Sequence, residues 1–229
     1  MASIAAKLQQ VRQRIDAACV IAQRPVQSVT LLAVSKTFDS QAIREAHLAG
    51  QRTFGENYVQ EALAKIRALI ELNPGIEWHL IGPLQSNKTR EVAAAFDWVH
   101  SVDRLKLAER LSAQRPPGLP ALQLCLQVNI SGEVSKRGVA PAELPALAHA
   151  VAALPRLRLR GLMAIPEPGA EAATQRLPHR ALRELLDALR AEGLALDTLS
   201  MGMSDDLEAA IAEGATIVRV GSAIFGQRA

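Results

Sequence analysis

The chain has 229 residues, 49% of them hydrophobic, enough for one sizeable core, since single barrels run to roughly 200–250 residues. Its 26 basic and 23 acidic residues are interspersed and leave a formal charge of only +3, which argues against a nucleic-acid footprint. No apolar run reaches membrane-spanning length, the charged opening "MASIAAKLQQVRQRI" is not a signal peptide, and the two distant cysteines, Cys19 and Cys125, point to reduced thiols in a cytoplasmic protein.

The first element is an amphipathic helix over about 2–22, with Ile4, Leu8, Val11 and Ile15 at helical spacing. Strand-like runs then recur at 29–34 ("VTLLAV"), 52–55, 76–81, 97–102, 121–128, 157–165, 197–201 and 216–220, and each of the first seven is followed by a helical pattern. Val59, Leu63, Ile66 and Ile70 mark the buried face of the helix after the second run. Leu144, Leu147, Val151 and Leu154 do so after the fifth, and Leu182, Leu185, Leu186 and Leu189 after the sixth, which closes at Gly193. Asp39, Ser86, Asp103 and Ser204 stand where N-caps belong. Two connections after strands are long, 129–140 and 166–178. Eight strands alternating with helices, many apolar on both faces, predict an α/β fold: a single-domain (β/α)8 TIM barrel over 1–229 with an extra N-terminal helix. An open doubly wound sheet is the alternative.

In such a barrel the chemistry sits at the C-terminal edge of the strands. Lys36 ends the first run; it either extends to water along its stem or, buried and neutral, attacks an aldehyde. Gly221-Ser222 after strand eight and Ser200-Met201 after strand seven occupy the loops where barrels bind phosphate, and "SAIFGQ" supplies a short terminal helix. An ordinary glycine turn is the plain alternative. Arg219 interrupts "TIVRV" and needs a carboxylate partner or a polar cavity. Set against a cofactor's pyridine nitrogen, it would keep that nitrogen unprotonated and weaken the ring as an electron sink. His79 either faces the site or is a hydrogen-bonded core histidine. Asp205 and Asp206 fit the first turn of a helix. Lys136 and Arg137 are solvated or form an anion-attracting rim. No metal spacing, GxSxG elbow or Walker loop occurs, so no metal is expected.

"LLAVSKT", "FGENYVQEAL", "WHLIGPLQSNK", "VNISGEVSKRGV", "GLMAIP" and "LSMGMSDDLEAAIAEGATIVRVGSAIFG" together closely resemble the pyridoxal phosphate homeostasis protein family, which looks like the isolated barrel domain of alanine racemase. The resemblance covers nearly the whole chain; residues 166–180 match least and nothing is carried over to them. It implies pyridoxal 5'-phosphate (PLP) as the cofactor, held as a Schiff base on Lys36, with Ser200, Met201, Gly221 and Ser222 on the phosphate, Arg219 facing the pyridine nitrogen and Asn57 beside the ring. Phe38 stands where some members carry a second lysine, so no amine hand-off is carried over there. The implied role is buffering PLP or delivering it to PLP-requiring apoenzymes, with little or no turnover. The racemases' second domain, which supplies a tyrosine base across the dimer, is missing here, so a monomer is expected. Lys36 serves one face of a substrate α-carbon; the single tyrosine, Tyr58, starts the helix after strand two and serves no other face. The alternatives are a monomeric PLP-dependent amino acid racemase and an unrelated phosphosugar-binding barrel with an aldolase-type imine on Lys36.

Overall fold

The computed structural model describes residues 2–133, 137–166 and 172–226. Eight parallel strands close in chain order: β1 (Thr30–Val34), β2 (Thr53–Glu56), β3 (Glu77–Leu80), β4 (Trp98–Val102), β5 (Leu122–Gln127), β6 (Leu157–Met163), β7 (Thr198–Ser200) and β8 (Ile217–Val220). Pairing of Leu32 with Arg219 and of Ala33 with Phe54 places β1 between β8 and β2, which closes the barrel and excludes the open sheet. Between the strands run α2 (Ser40–Leu48), α3 (Val59–Ala68), α4 (Thr89–Ala95), α5 (Leu105–Gln114), α6 (Leu144–Ala152), α7 (Ala172–Ala191) and α8 (Leu207–Ala212). The leading helix α1 (Ile4–Ile21) packs on α8, α2 and the short terminal α9 (Ser222–Phe225).

The strands' outward side chains meet the helices in one large apolar layer. The interior holds two small apolar clusters, Leu32, Val34, Ile81 and Ile217 on one side and Trp98, Cys125 and Met163 on the other. Buried polar groups, His79, His100, Ser200 and Arg219, lie between them. Gly161 pairs with Thr198, and a Cβ on it would fall 1.8 Å from the Thr198 carbonyl oxygen, so only glycine lets β6 approach β7 there.

Three expectations are corrected. On α3, Val59 is buried and Leu63 and Ile66 pack half-buried against the core as expected, but Ile70 is exposed and the deepest positions include Ala62 and Lys65, with Leu69 just beyond. That is possible because the Lys65 ammonium finds three acceptors. Of the proposed N-caps only Asp39 caps, accepting from the Ala42 amide. Ser86 enters a 3-10 turn, Asp103 is taken by the Arg104 side chain, and the residue at the head of α8 is Asp206, not Ser204. Most of the presumed loop 166–178 is helical, because α7 begins at Ala172 and continues through Pro178; residues 167–171 lie outside the described residues.

Glu213, at the end of α8, is fully buried and bound by Arg176, Arg180 and Arg183 of α7. Burial alone would raise its carboxyl; hydrogen bonds from Arg180 and Arg176 outweigh it and hold the group below the usual carboxylate range. A depressed folded-state pKa contributes stability above the unfolded value and loses it as pH falls through the folded one. Glu213→Gln is therefore expected to cost about 1–2 kcal/mol at neutral pH, a modest figure because the arginines are partly solvated. Thermal melts against pH should show the gap between variant and wild type closing below pH 4.5, the carboxyl's ordinary value.

Candidate functional site

The C-terminal ends of the strands open on a cavity of about 450 Å³. Val34, Lys36 and Phe38 reach it from β1 and the loop beyond, Asn57 follows β2, and Ile81 follows β3. Ile165 follows β6, Met203, Ser204 and Asp205 follow β7, and Arg219, Gly221, Ser222 and Gly226 come from β8 and α9. Residues from opposite ends of the chain thus share one wall. Phe38 packs on Phe225 with ring centroids 5.2 Å apart, closing the seam where an amine was the alternative.

The segment carrying Lys36 is pinned on both sides. The Lys65 ammonium, nearly buried, donates to the Ser35 carbonyl at 2.8 Å, to Glu56 Oε1 at 2.8 Å and to Glu61 Oε1. All three of its hydrogens are used, which requires the charged form. The Ser35 hydroxyl also donates to Glu56 Oε1, at 2.6 Å, and the Thr37 amide donates to Glu61 Oε1 at 2.6 Å. Thr37 itself takes φ of +69°, a conformation the flanking bonds must hold. Burial pushes the Glu56 carboxyl up against the pull of Lys65.

Asn57 sits close against Gly82, where a Cβ would lie 2.1 Å from the Asn57 carbonyl oxygen. Its side-chain Oδ1 is buried with no hydrogen-bond partner among the described residues. A buried amide oxygen without a donor is costly, and this one belongs to a residue of the cavity wall.

Arg219 is buried at the cavity floor. It donates through Nη1 to the Ser200 carbonyl and, at 2.9 Å, to Ser200 Oγ, and through Nη2 to the Ala164 carbonyl at 2.8 Å. Of the two alternatives, a carboxylate partner or a polar cavity, it takes the second, held by backbone carbonyls and a hydroxyl. Burial lowers its pKa to about 10, which leaves it cationic at neutral pH.

Ser200 and Met201 do not line the cavity. The Ser200 hydroxyl is engaged below it by Arg219 and His100, and Met201 is fully buried in the outer core. The β7 loop instead presents Met203, Ser204 and Asp205. Asp206 shapes that loop by accepting from the Met203 amide at 2.6 Å and contacting His179 of α7 at 3.0 Å. Gly221 leads into α9, whose opening amides at Ser222 and Ala223 have no acceptor within their own helix.

Tyr58 is exposed and lines a neighbouring cavity with Lys88 and Arg137, not this one; Lys136 lies outside the described residues. His79 is a core histidine, bonded to Glu77 and His100. Sequence reasoning missed His100, Lys65 and Glu56. Strand alternation carried the signal for His100, since it shares an inward face with Trp98. The i, i+4 pair Glu61–Lys65 carried one for the second cluster. Among the described residues no group of three metal-ligating side chains occurs, and no helix is long and apolar enough to cross a membrane.

The family profile described as alanine racemase, N-terminal domain, matches residues 6–229, so the barrel is of the alanine racemase type. The pyridoxal phosphate homeostasis protein of Pseudomonas aeruginosa is 62% identical over 228 residues, covering 100% of this chain and 97% of that protein. Its Escherichia coli counterpart is 56% identical over 229 residues, covering 100% and 98%. The chain belongs to the pyridoxal phosphate homeostasis protein family. Among solved structures, PipY of Synechococcus elongatus with PLP bound superimposes with a TM-score of 0.85 at 43% identity, covering 98% of this chain and 100% of that one.

Proposed function

We propose that this chain binds PLP as a Schiff base on Lys36 and serves PLP homeostasis in the cytoplasm, buffering or delivering the cofactor to PLP-requiring apoenzymes with little or no turnover. The observation that carries the proposal is the sharing of one cavity by an amine, an orphaned Asn57 oxygen and the Gly221-Ser222 turn. Membership of the family and the PLP-bound relative support it. Bound PLP supplies an electrophilic aldehyde and a ring able to draw electrons.

The chain's own residues divide the work. Lys36 provides the amine, on a backbone held by Lys65 and Glu61. Gly221 and Ser222 offer backbone N–H groups to the phosphate. Asn57 Oδ1 waits for a ligand donor. Arg219 only donates hydrogen bonds, so a pyridine nitrogen facing it stays unprotonated and the ring is a weak sink. Ser200 and Met201, assigned to the phosphate by resemblance, act here on Arg219 and on the core. A racemase needs acid–base groups on both faces of the α-carbon. Besides Lys36, the cavity wall offers Asp205 at an exposed rim position, while Tyr58 stands outside it. The reading takes the chain as one domain acting as a monomer.

The test pairs two assays on PLP-loaded protein. It should restore activity to a PLP-free apoenzyme while leaving the α-protons of a panel of L-amino acids unexchanged in deuterated water. Exchange at enzyme-like rates, on the order of 1 per second or faster, would reject the carrier role.

A further inference from the structure

We propose that His100 and His79, anchored by Ser200 and Glu77, are positioning residues: they form a one-way hydrogen-bond chain through the barrel interior that fixes the Arg219 guanidinium at the cavity floor. The proposal concerns the same site, and its effect on the cofactor rests on the PLP reading above.

The chain has four links. Arg219 Nη1 meets Ser200 Oγ at 2.9 Å, Ser200 Oγ meets His100 Nδ1 at 2.8 Å, His100 Nε2 meets His79 Nδ1 at 2.9 Å, and His79 Nε2 meets Glu77 Oε1 at 2.8 Å. Its ends dictate its direction. A guanidinium can only donate, so Ser200 Oγ accepts from Arg219; with two neutral imidazoles and Glu77 accepting from His79 Nε2 at the far end, the Ser200 hydrogen goes to His100 Nδ1. His100 Nδ1 is then an acceptor, its proton sits on Nε2, and that proton goes to His79 Nδ1. His79 in turn carries its proton on Nε2 and gives it to Glu77. A carboxylate only accepts, so the chain ends there with every hydrogen assigned.

The surroundings agree with this assignment. The hydrogen bond from His79 holds Glu77 below the usual carboxylate range despite its partial burial. Burial, with His79 and Arg219 nearby, pushes the His100 imidazole well below its ordinary value, which keeps it neutral. His79 stacks on Trp98 with an interplanar angle of 6°, and Arg160, held by Asp197, lies over the same indole. The line passes between the two apolar clusters, and His79, His100, Ser200 and Arg219 are all buried, so a broken link among these four strands a polar group away from bulk water.

The link to function is Ser200. Of the three acceptors on Arg219, two are backbone carbonyls and cannot turn; the third is a hydroxyl, free to rotate unless something fixes it. His100 fixes it, presenting the oxygen lone pair to Arg219 and drawing the hydrogen away.

Two measurements test this. Long-range proton–nitrogen spectra of ligand-free wild-type protein near neutral pH, with signals assigned by loss in His79→Phe and His100→Phe, should show both rings protonated on Nε2 and bare at Nδ1. An Nδ1-protonated or doubly protonated ring at either position overturns the chain, whether or not PLP binds. PLP titration of Ser200→Ala and His100→Phe should then show roughly tenfold weaker binding and a displaced visible band. His100→Gln, which keeps one acceptor and one donor, should recover part of both. Affinity within about twofold of wild type and an unchanged band in Ser200→Ala would overturn the positioning role, even if His100→Phe fails to fold.

Discussion

Lys65→Met is expected to lower stability by about 3–5 kcal/mol, because it strands the buried Glu56 carboxylate without its cation. Urea melts should show this as a lower midpoint at unchanged slope. The same substitution frees the Ser35 carbonyl and leaves Glu61 to hold Thr37 alone, so PLP binding should weaken as well. A second substitution separates the two effects. Adding Glu56→Leu removes the stranded charge, and replacing a buried ion pair by apolar groups is often neutral. The double variant should therefore regain most of the stability and little of the affinity. If both returned together, Lys65 would be a prop for the fold with no special relation to Lys36.

Gly82→Ala should act on the opposite wall. Its Cβ would lie 2.1 Å from the Asn57 carbonyl oxygen and 2.5 Å from the Asn57 Cα, so backbone must move. Asn57 would carry its orphaned oxygen away from the cavity, and loss of one buried ligand hydrogen bond with the attendant misfit is worth roughly tenfold in affinity or more. Gly118→Ala is the control, since a Cβ there meets nothing within 4 Å. Equal PLP affinities for the two variants would show that Asn57 does not touch the ligand.

The barrel was legible because parallel strands covered by helices are buried on both faces, and their apolar runs stand out between helical patterns. All eight strands fall within two residues of the runs that announced them. Lys36, Asn57, Arg219, Gly221 and Ser222 converge on one cavity, as their places after the strands implied. What remained hidden was polar pairing across long stretches of sequence. Ser200 stood at the expected loop, yet a histidine 100 residues earlier claims its hydroxyl. Nothing in the periodicity of its helix singled out Lys65, whose ammonium is enclosed by Glu56 and Ser35, from β2 and the segment just after β1. Helix starts misled in part for a similar reason: Asp39 caps its helix, whereas the Asp103 carboxylate is taken by the Arg104 side chain and the N-cap position of α8 falls two residues beyond Ser204, at Asp206.

The central claim, that Lys36 and the Gly221-Ser222 turn hold one PLP between them, is tested most directly by reductive trapping. Wild-type protein loaded with equimolar PLP, reduced with borohydride and digested, should carry the phosphopyridoxyl mass on the peptide containing Lys36. Recovery of the label on a lysine outside the cavity such as Lys88, or of no covalent label at all, would contradict the account.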